Sequence, residues 1–337
     1  MLLRMATLDG AAPQVNASAC FSLQEDPSTT VWGKCVYAQA MGAAATPTDH
    51  VCSSRGVSFF GRCFCAPHFD GDDCKMVRKA EQAGCTSLNT SHIDDGCLRH
   101  PTYGSAIIPA KRWRRAQAGE QRAFVVKHVP QHLARASSDS GVKKELPPHR
   151  LTQAIPAGSL GRLMELGAGP LSQTYDILER RPDLSVREVI FEDPGIRGYL
   201  RNNITRYTTG RLATIPVTLL PVGAEEVPPS YFGTVDTVVM INTIEHAFNA
   251  FALLHTAYQL LRHGGLFVFE ERIIKRDARW TGMETHPIRL RPVVYEHFFL
   301  NASIFSGQRR FLLYADVGKR PRKAFMEETI AYLAYKR

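Results

Sequence analysis

Leu163-Met164-Glu165-Leu166-Gly167-Ala168-Gly169-Pro170 reads as a buried strand that ends in an acidic residue, runs into a glycine turn and opens a helix. Glycine has no Cβ, so such a turn lets the backbone come close to a nucleoside-type ligand. The stretch is a weak signal alone and gains weight from the residues downstream of it. From Ser159 onward, apolar runs alternate with helical stretches: 162–166 then 172–180, 188–191 then 196–207, 217–221, 235–241 then 250–261, and 266–270. This alternation predicts an α/β fold in which helices cover both faces of a parallel sheet. Two last strands, 310–317 and 329–335, are expected to pair antiparallel.

Three further features line up with the glycine turn. Val189-Ile190-Phe191-Glu192-Asp193-Pro194 is a second strand ending in carboxylates, and an acid there can accept hydrogen bonds from both ribose hydroxyls. Glu192, at the strand end, is the better ribose candidate, while Asp193 suits either that role or the cap of the next helix. The run 235–241 is a buried strand that opens into Asn242-Thr243-Ile244-Glu245-His246 at its carboxyl end, where open α/β sheets bind ligands. After it, a helix is expected to stop at Gly264-Gly265 before the chain re-enters the sheet. Ser172 stands where a dinucleotide fold wants a third glycine, so a pyrophosphate ligand fits poorly.

Together these features resemble the class I S-adenosylmethionine-dependent methyltransferases, over residues 163–271 and with His263 in place of the usual proline before the glycine pair. The resemblance implies a Rossmann-like sheet, mostly parallel with an antiparallel last strand, and S-adenosyl-L-methionine as cofactor. By the same resemblance Glu165, Gly167 and Gly169 line the methionine moiety and Glu192 holds the ribose. Ala224 and Glu225 lie near adenine, and Asn242 and Ile244 close over the sulfonium. That cofactor carries a carboxylate, an ammonium, a ribose diol and a sulfonium but no phosphate, which suits carboxylates better than an anion nest. Methyl transfer is an in-line displacement driven largely by alignment, and an alcohol acceptor also needs a base. His246, after the fourth strand, and His286, in Thr281-Gly282-Met283-Glu284-Thr285-His286-Pro287, are the catalytic candidates; a brace for the loop is the competing role of His246. Glu270 and Glu271 could contact substrate or form a solvated pair, and Arg289 and Arg291 could bind an acidic acceptor or lie on the surface. No metal ligand is assigned.

The amino-terminal part has a different character. All eight cysteines lie between Cys20 and Cys97, and the sequons at Asn16, Asn89, Asn203 and Asn301 join them in pointing to an oxidising compartment. Cys63-Phe64-Cys65-Ala66-Pro67-His68-Phe69-Asp70-Gly71-Asp72-Asp73-Cys74 resembles the last loops of an epidermal-growth-factor-like domain. That resemblance implies the bridges Cys20–Cys52, Cys35–Cys63 and Cys65–Cys74, leaving Cys85 and Cys97 for each other. Zinc binding is disfavoured because paired C-x-x-C knuckles are missing. Four parts are expected: a disordered 1–19, a cysteine-rich module at 20–99, a basic linker at 100–157 with room for a helix packed on the next domain, and a methyltransferase domain at 158–337.

The chain of 337 residues is 44% hydrophobic with a formal net charge of +9, ordinary for a globular protein. Its densest basic cluster, 111–115, is short, so no nucleic-acid partner is inferred. No apolar run is long enough to span a bilayer. The start lacks the apolar core of a secretory signal; an incomplete amino terminus would reconcile this with a Golgi-lumenal or extracellular setting, and a cytoplasmic one is the alternative. The expected activity is O-methylation of a glycan or sugar hydroxyl. The alternatives are methylation of a small molecule or carboxylate and a non-catalytic binding protein on the same scaffold; a nicotinamide dehydrogenase is a distant third.

Overall fold

The computed structural model describes residues 56–65, 110–128, 150–273, 286–314 and 328–337, with short segments at 4–5, 69–70, 72, 76–77, 104–105 and 108. One sheet organises them. Its main strands are β1 (Arg162–Leu166), β2 (Glu188–Glu192), β3 (Val217–Leu220), β4 (Val235–Ile241), β5 (Leu261–Ile273), β6 (Phe305–Tyr314) and β7 (Glu328–Lys336). Their spatial order is β3-β2-β1-β4-β5-β7-β6, with Arg4–Met5 paired outside β3. β3, β2, β1, β4 and β5 run parallel, while β7 is antiparallel to both its neighbours. This is the mostly parallel sheet with an antiparallel last strand that the sequence leads one to expect.

Helices cover both faces: α1 (Ala110–Ala123), α2 (Arg150–Ala154), α3 (Gln173–Arg180), α4 (Ile196–Arg201), α5 (Ala250–Leu260) and α6 (Pro292–Phe299). Strand alternation sends Met164, Leu166, Ile190, Val238 and Met240 into one core, shared with α5 and α6. Leu163, Val189, Phe191 and Val239 point into a second core with Leu151, Ile177 and Leu178. A sheet buried on both faces needs near-continuous apolar strands, as β1, β2 and β4 are. Ser172 caps α3 by accepting the Tyr175 N–H at 3.2 Å, and Asn249 caps α5 through the N–H groups of Phe251 and Ala252 at 3.1 and 3.0 Å.

Two boundaries differ from the sequence expectation. α4 ends at Arg201 rather than 207, because Asn203 turns into the left-handed region at φ 51°. α5 ends at Leu260, before the glycine pair, because fully buried Leu261 already pairs with Val235; Gly264 and Gly265 therefore lie within β5.

Of the amino-terminal cysteine-rich stretch, residues 56–65 are described in most detail, and they pack on the main domain. Gly56–Phe59 and Arg62–Cys65 form a hairpin whose turn residues Phe60 and Gly61 both have positive φ, as a tight hairpin turn requires. Phe59 and Phe64 are 2% exposed and belong to the same core as α5 and α6. Phe59 lies 5.1 Å from the Phe251 ring and 5.6 Å from Phe298, and Phe64 lies 5.0 Å from Phe251. Cys63 is buried and disulfide-bonded. The partner of Cys63 and all the other cysteines of the expected pairings lie outside the described side chains. Within 100–157, α1 is a helix packed on the next domain, near the carboxyl ends of the strands.

Candidate active site

The sheet's switch point lies between β1 and β4, and the carboxyl ends of β1, β2 and β4 meet there because Glu192 and Met240 both pair with Leu166. The turn after β1 is held by carboxylates. Glu165 is buried and accepts from Ser172 Oγ at 2.7 Å, Gln173 N at 2.7 Å and Thr174 N at 3.0 Å. Burial raises its pKa even against these hydrogen bonds. Glu165 thus anchors the first turn of α3 and does not line the cavity, which corrects the ligand role expected for it. Gly167 (φ 66°) and Gly169 (φ 53°) do line the cavity. A Cβ on Gly167 would fall 2.3 Å from the methyl of Thr243, so the bare backbone accommodates that neighbour.

The two glycine N–H groups are already spoken for. Gly167 N donates to Glu192 Oε2 at 3.1 Å, and Gly169 N donates to Asp193 Oδ2 at 2.9 Å. Asp193 Oδ1 accepts from Gly195 N at 2.6 Å, so its carboxylate ties the glycine turn to the start of α4. Burial pushes Asp193 up to about 6. Glu192 is fully buried, and its Oε1 has no hydrogen-bond partner. Burial, then the charge of Asp193, hold Glu192 well above the usual carboxylate range.

Asn242 follows β4 at φ 55°, a left-handed conformation that costs energy in a non-glycine residue and recurs at functional sites. Its side-chain Oδ1 is buried without a partner and, like Glu192, it lines the cavity. Ala224 and Glu225 also line the cavity. Glu225 Oε1 accepts from Phe248 N at 2.9 Å and Asn249 N at 3.1 Å, and burial raises this carboxyl to about 7. Ile244 does not reach the wall: its side chain is buried in the core, and its N–H donates to Glu271 Oε2 at 2.9 Å. Glu271 also accepts from Arg272 N at 3.1 Å, a structural use of the strand-end pair.

One wall comes from the stretch expected to be a linker. Trp113, Gln117, Glu120 and Phe124 recur at i, i+4, i+7 and i+11, one face of α1 and the residue following it, and all four line the cavity. Trp113 Nε1 and Gln117 Nε2 both donate to the carbonyl oxygen of His246, at 2.9 and 2.8 Å. α1 meets α4 at Gly198, where a Cβ would overlap the Gln121 amide. The helical spacing of these four residues was the signal in the sequence, obscured by the arginines between them.

His246 lines the cavity, and His286 stands behind it with ring centroids 4.5 Å apart. His286 Nδ1 lies 2.9 Å from Oε1 of buried Glu245, and His246 Nε2 lies 3.8 Å from the same oxygen. Ile288 N donates to the Glu245 carbonyl at 3.2 Å, tethering the His286 segment to this turn. Burial acts to raise Glu245, but the hydrogen bond and charge of His286 outweigh it and leave the carboxyl below its usual range. One ligand atom each from Glu120, His246 and His286 lies within 4.8 Å of the other two.

The cavity has a volume of about 340 Å³ and is strongly acidic. Glu120, Asp176, Glu192, Asp193 and Glu225 face Arg206 and Arg272. Such a wall favours a cationic ligand rich in hydrogen-bond donors over a phosphorylated one.

No family model and no curated protein matches the chain. Solved structures do show similarity. A methyltransferase-classed protein of Haloferax volcanii, in complex with the Trm112 methyltransferase activator, is 15% identical over 68% of this chain and 98% of that one, with a TM-score of 0.43. Phosphoethanolamine N-methyltransferase 2 of Haemonchus contortus, bound to phosphomonomethylethanolamine and S-adenosylhomocysteine, is 11% identical over 55% of this chain and 51% of that one (TM-score 0.41). A Listeria monocytogenes protein classed as an S-adenosylmethionine-dependent methyltransferase is 13% identical over 56% and 97%, at a TM-score of 0.40.

Proposed function

We propose that this protein is an S-adenosylmethionine-dependent methyltransferase that acts on a hydroxyl oxygen. One observation carries the reading. Two buried acceptors without partners, Glu192 Oε1 and Asn242 Oδ1, share an acidic cavity in which the glycine N–H groups are already bound to carboxylates. A ribose diol and an ammonium group supply the donors those acceptors lack. A pyrophosphate would find neither free glycine N–H groups nor a favourable field, which weighs against a nicotinamide cofactor.

When bound, the cofactor supplies an electrophilic methyl group on a positively charged sulfur. Glu192 would receive the ribose hydroxyls, Ala224 and Glu225 would lie near the base, and Asn242 would offer the second acceptor. An acceptor hydroxyl would enter beside His246, where the His246–His286–Glu245 cluster would take up its proton. Glycan or sugar hydroxyls in an oxidising lumen are the acceptor class we favour, supported by the cysteine-rich stretch, the disulfide at Cys63 and the sequons, of which Asn203 is exposed.

Calorimetric titration with S-adenosylmethionine, and in parallel with NAD, tests the cofactor. Heat with the first and none with the second is expected, and heat with NAD alone overturns the reading. Labelled cofactor incubated with glycan fractions then tests the acceptor, with alkali-stable label in a sugar ether as the supporting result. Alkali-labile label would instead mark a carboxylate ester.

A further inference from the structure

The geometry points to a divalent-cation site of the zinc class, built by Glu120, His246 and His286 at the acceptor side of the cavity. Three separate elements deliver these residues: α1, the turn after β4 and the segment before α6. Their ligand atoms lie within 4.8 Å of one another. Ligands of a tetrahedral ion at about 2.0–2.1 Å stand roughly 3.4 Å apart, so closing the set takes rotations of about 1 Å, within reach of side chains at the edge of a cavity. Two histidines and one carboxylate are a donor set suited to zinc-class ions, and three protein ligands leave one position open in a tetrahedral ion, or two in a five-coordinate one, for substrate oxygens.

A second observation points the same way. A metal-binding histidine almost always directs its other ring nitrogen to a carboxylate or carbonyl, which fixes the ring. His286 Nδ1 lies 2.9 Å from Glu245 Oε1, and Glu245 is 5% exposed and held on the same turn as His246. The latch of Trp113 and Gln117 on the His246 carbonyl sets Glu120, one turn further along α1, opposite the two rings. The ligand set is thus supported from behind on both sides.

The role of the site rests on the methyltransferase reading, although cation binding itself does not. With the ion in place both imidazoles are ligands, and it is the ion that acidifies the acceptor hydroxyl. The proton leaves to water through the partly open face. An oxygen lone pair forms the bond to the methyl carbon, the carbon–sulfur bond breaks, and its electron pair returns to sulfur to give the neutral thioether. A vicinal diol or a hydroxyl beside a carbonyl, able to chelate, is the acceptor chemistry this favours.

The test uses the full-length protein, stripped with EDTA and titrated with Co²⁺ while visible absorption and S-adenosylmethionine binding are recorded together. One equivalent of cobalt with d–d bands of tetrahedral or five-coordinate intensity, displaced by Zn²⁺, is expected. H286Q and E120Q should abolish the bands, and E245Q should weaken cobalt binding about 10–100-fold, each with an unchanged circular dichroism spectrum. Bands that persist in an H246Q/H286Q variant, or no bands in the native protein, overturn the inference. Cofactor binding without bands defeats the cation site alone, whereas bands without cofactor binding defeat the methyltransferase reading and leave the cation site standing.

Discussion

At the residue scale, Glu192 combines full burial, one satisfied oxygen and one orphaned one. Burial and the charge of Asp193 raise its folded pKa, whereas a ribose diol donating two hydrogen bonds prefers the ionised form. Cofactor binding should therefore lower this pKa, releasing protons and tightening as pH rises. Calorimetry in buffers of different ionisation enthalpy measures this directly, and E192Q should both abolish the release and weaken binding about 10–100-fold. Gly167→Ala should cost about 2–4 kcal/mol in urea titration, since it adds a Cβ 2.3 Å from Thr243 at a φ of 66°. Glu192 was legible in the sequence because strand polarity alone sets an acid there at the mouth of the site. Glu165 was not: a helix-anchoring carboxylate and a ligand-binding one occupy the same place in the sequence and differ only in which donors reach them. His286 was legible as a candidate, but its pairing with Glu245 depends on a tertiary approach that no local pattern encodes.

At the scale of elements, the strand order and the parallel run were readable from apolar periodicity, because strands buried on both faces leave a continuous signature. Helix ends were less readable where a buried residue such as Leu261 joined the sheet earlier than the glycine punctuation suggested. A helix packed on the next domain fitted the reading of 100–157, but its cavity-lining face did not stand out, being a narrow stripe of four residues amid arginines. α5 carries a sharper prediction. The N–H groups of Phe248 and Asn249, at its start, are held by one oxygen of Glu225, whose pKa is raised to about 7 from an ordinary 4.5. A raised carboxyl contributes stability that is complete below the unfolded pKa and is lost as pH climbs through the folded one. E225Q keeps an accepting oxygen and removes the titration. In chemical denaturation of the cofactor-free protein, the variant should match the parent near pH 4.5 and exceed it by about 3 kcal/mol at pH 8. Parallel pH profiles for the two proteins would count against the assignment.

For the molecule as a whole, the +9 charge of the chain contrasts with the acidic cavity, so the field that selects the ligand is local and cannot be deduced from composition. The hairpin at 56–65 makes the other large-scale point. The aromatic packing of Phe59 and Phe64 into the main core predicts that Phe64→Ala lowers stability by about 3–5 kcal/mol. Unfolding should remain a single transition in scanning calorimetry; two separable transitions, with only the smaller one shifted, would restore an independent amino-terminal module. The cysteine count pointed to such a module because spacing reveals crosslinks but not which surface the crosslinked loops cover. His297, whose Nε2 meets the Phe59 carbonyl at 3.1 Å, lies 238 positions downstream of it. At a ribosomal pace of about 5–20 residues per second, the hairpin emerges roughly 10–50 s before its aromatic partners exist. During that interval an oily surface is bare on the nascent polypeptide, and a holdase that shields it would govern the yield of native enzyme.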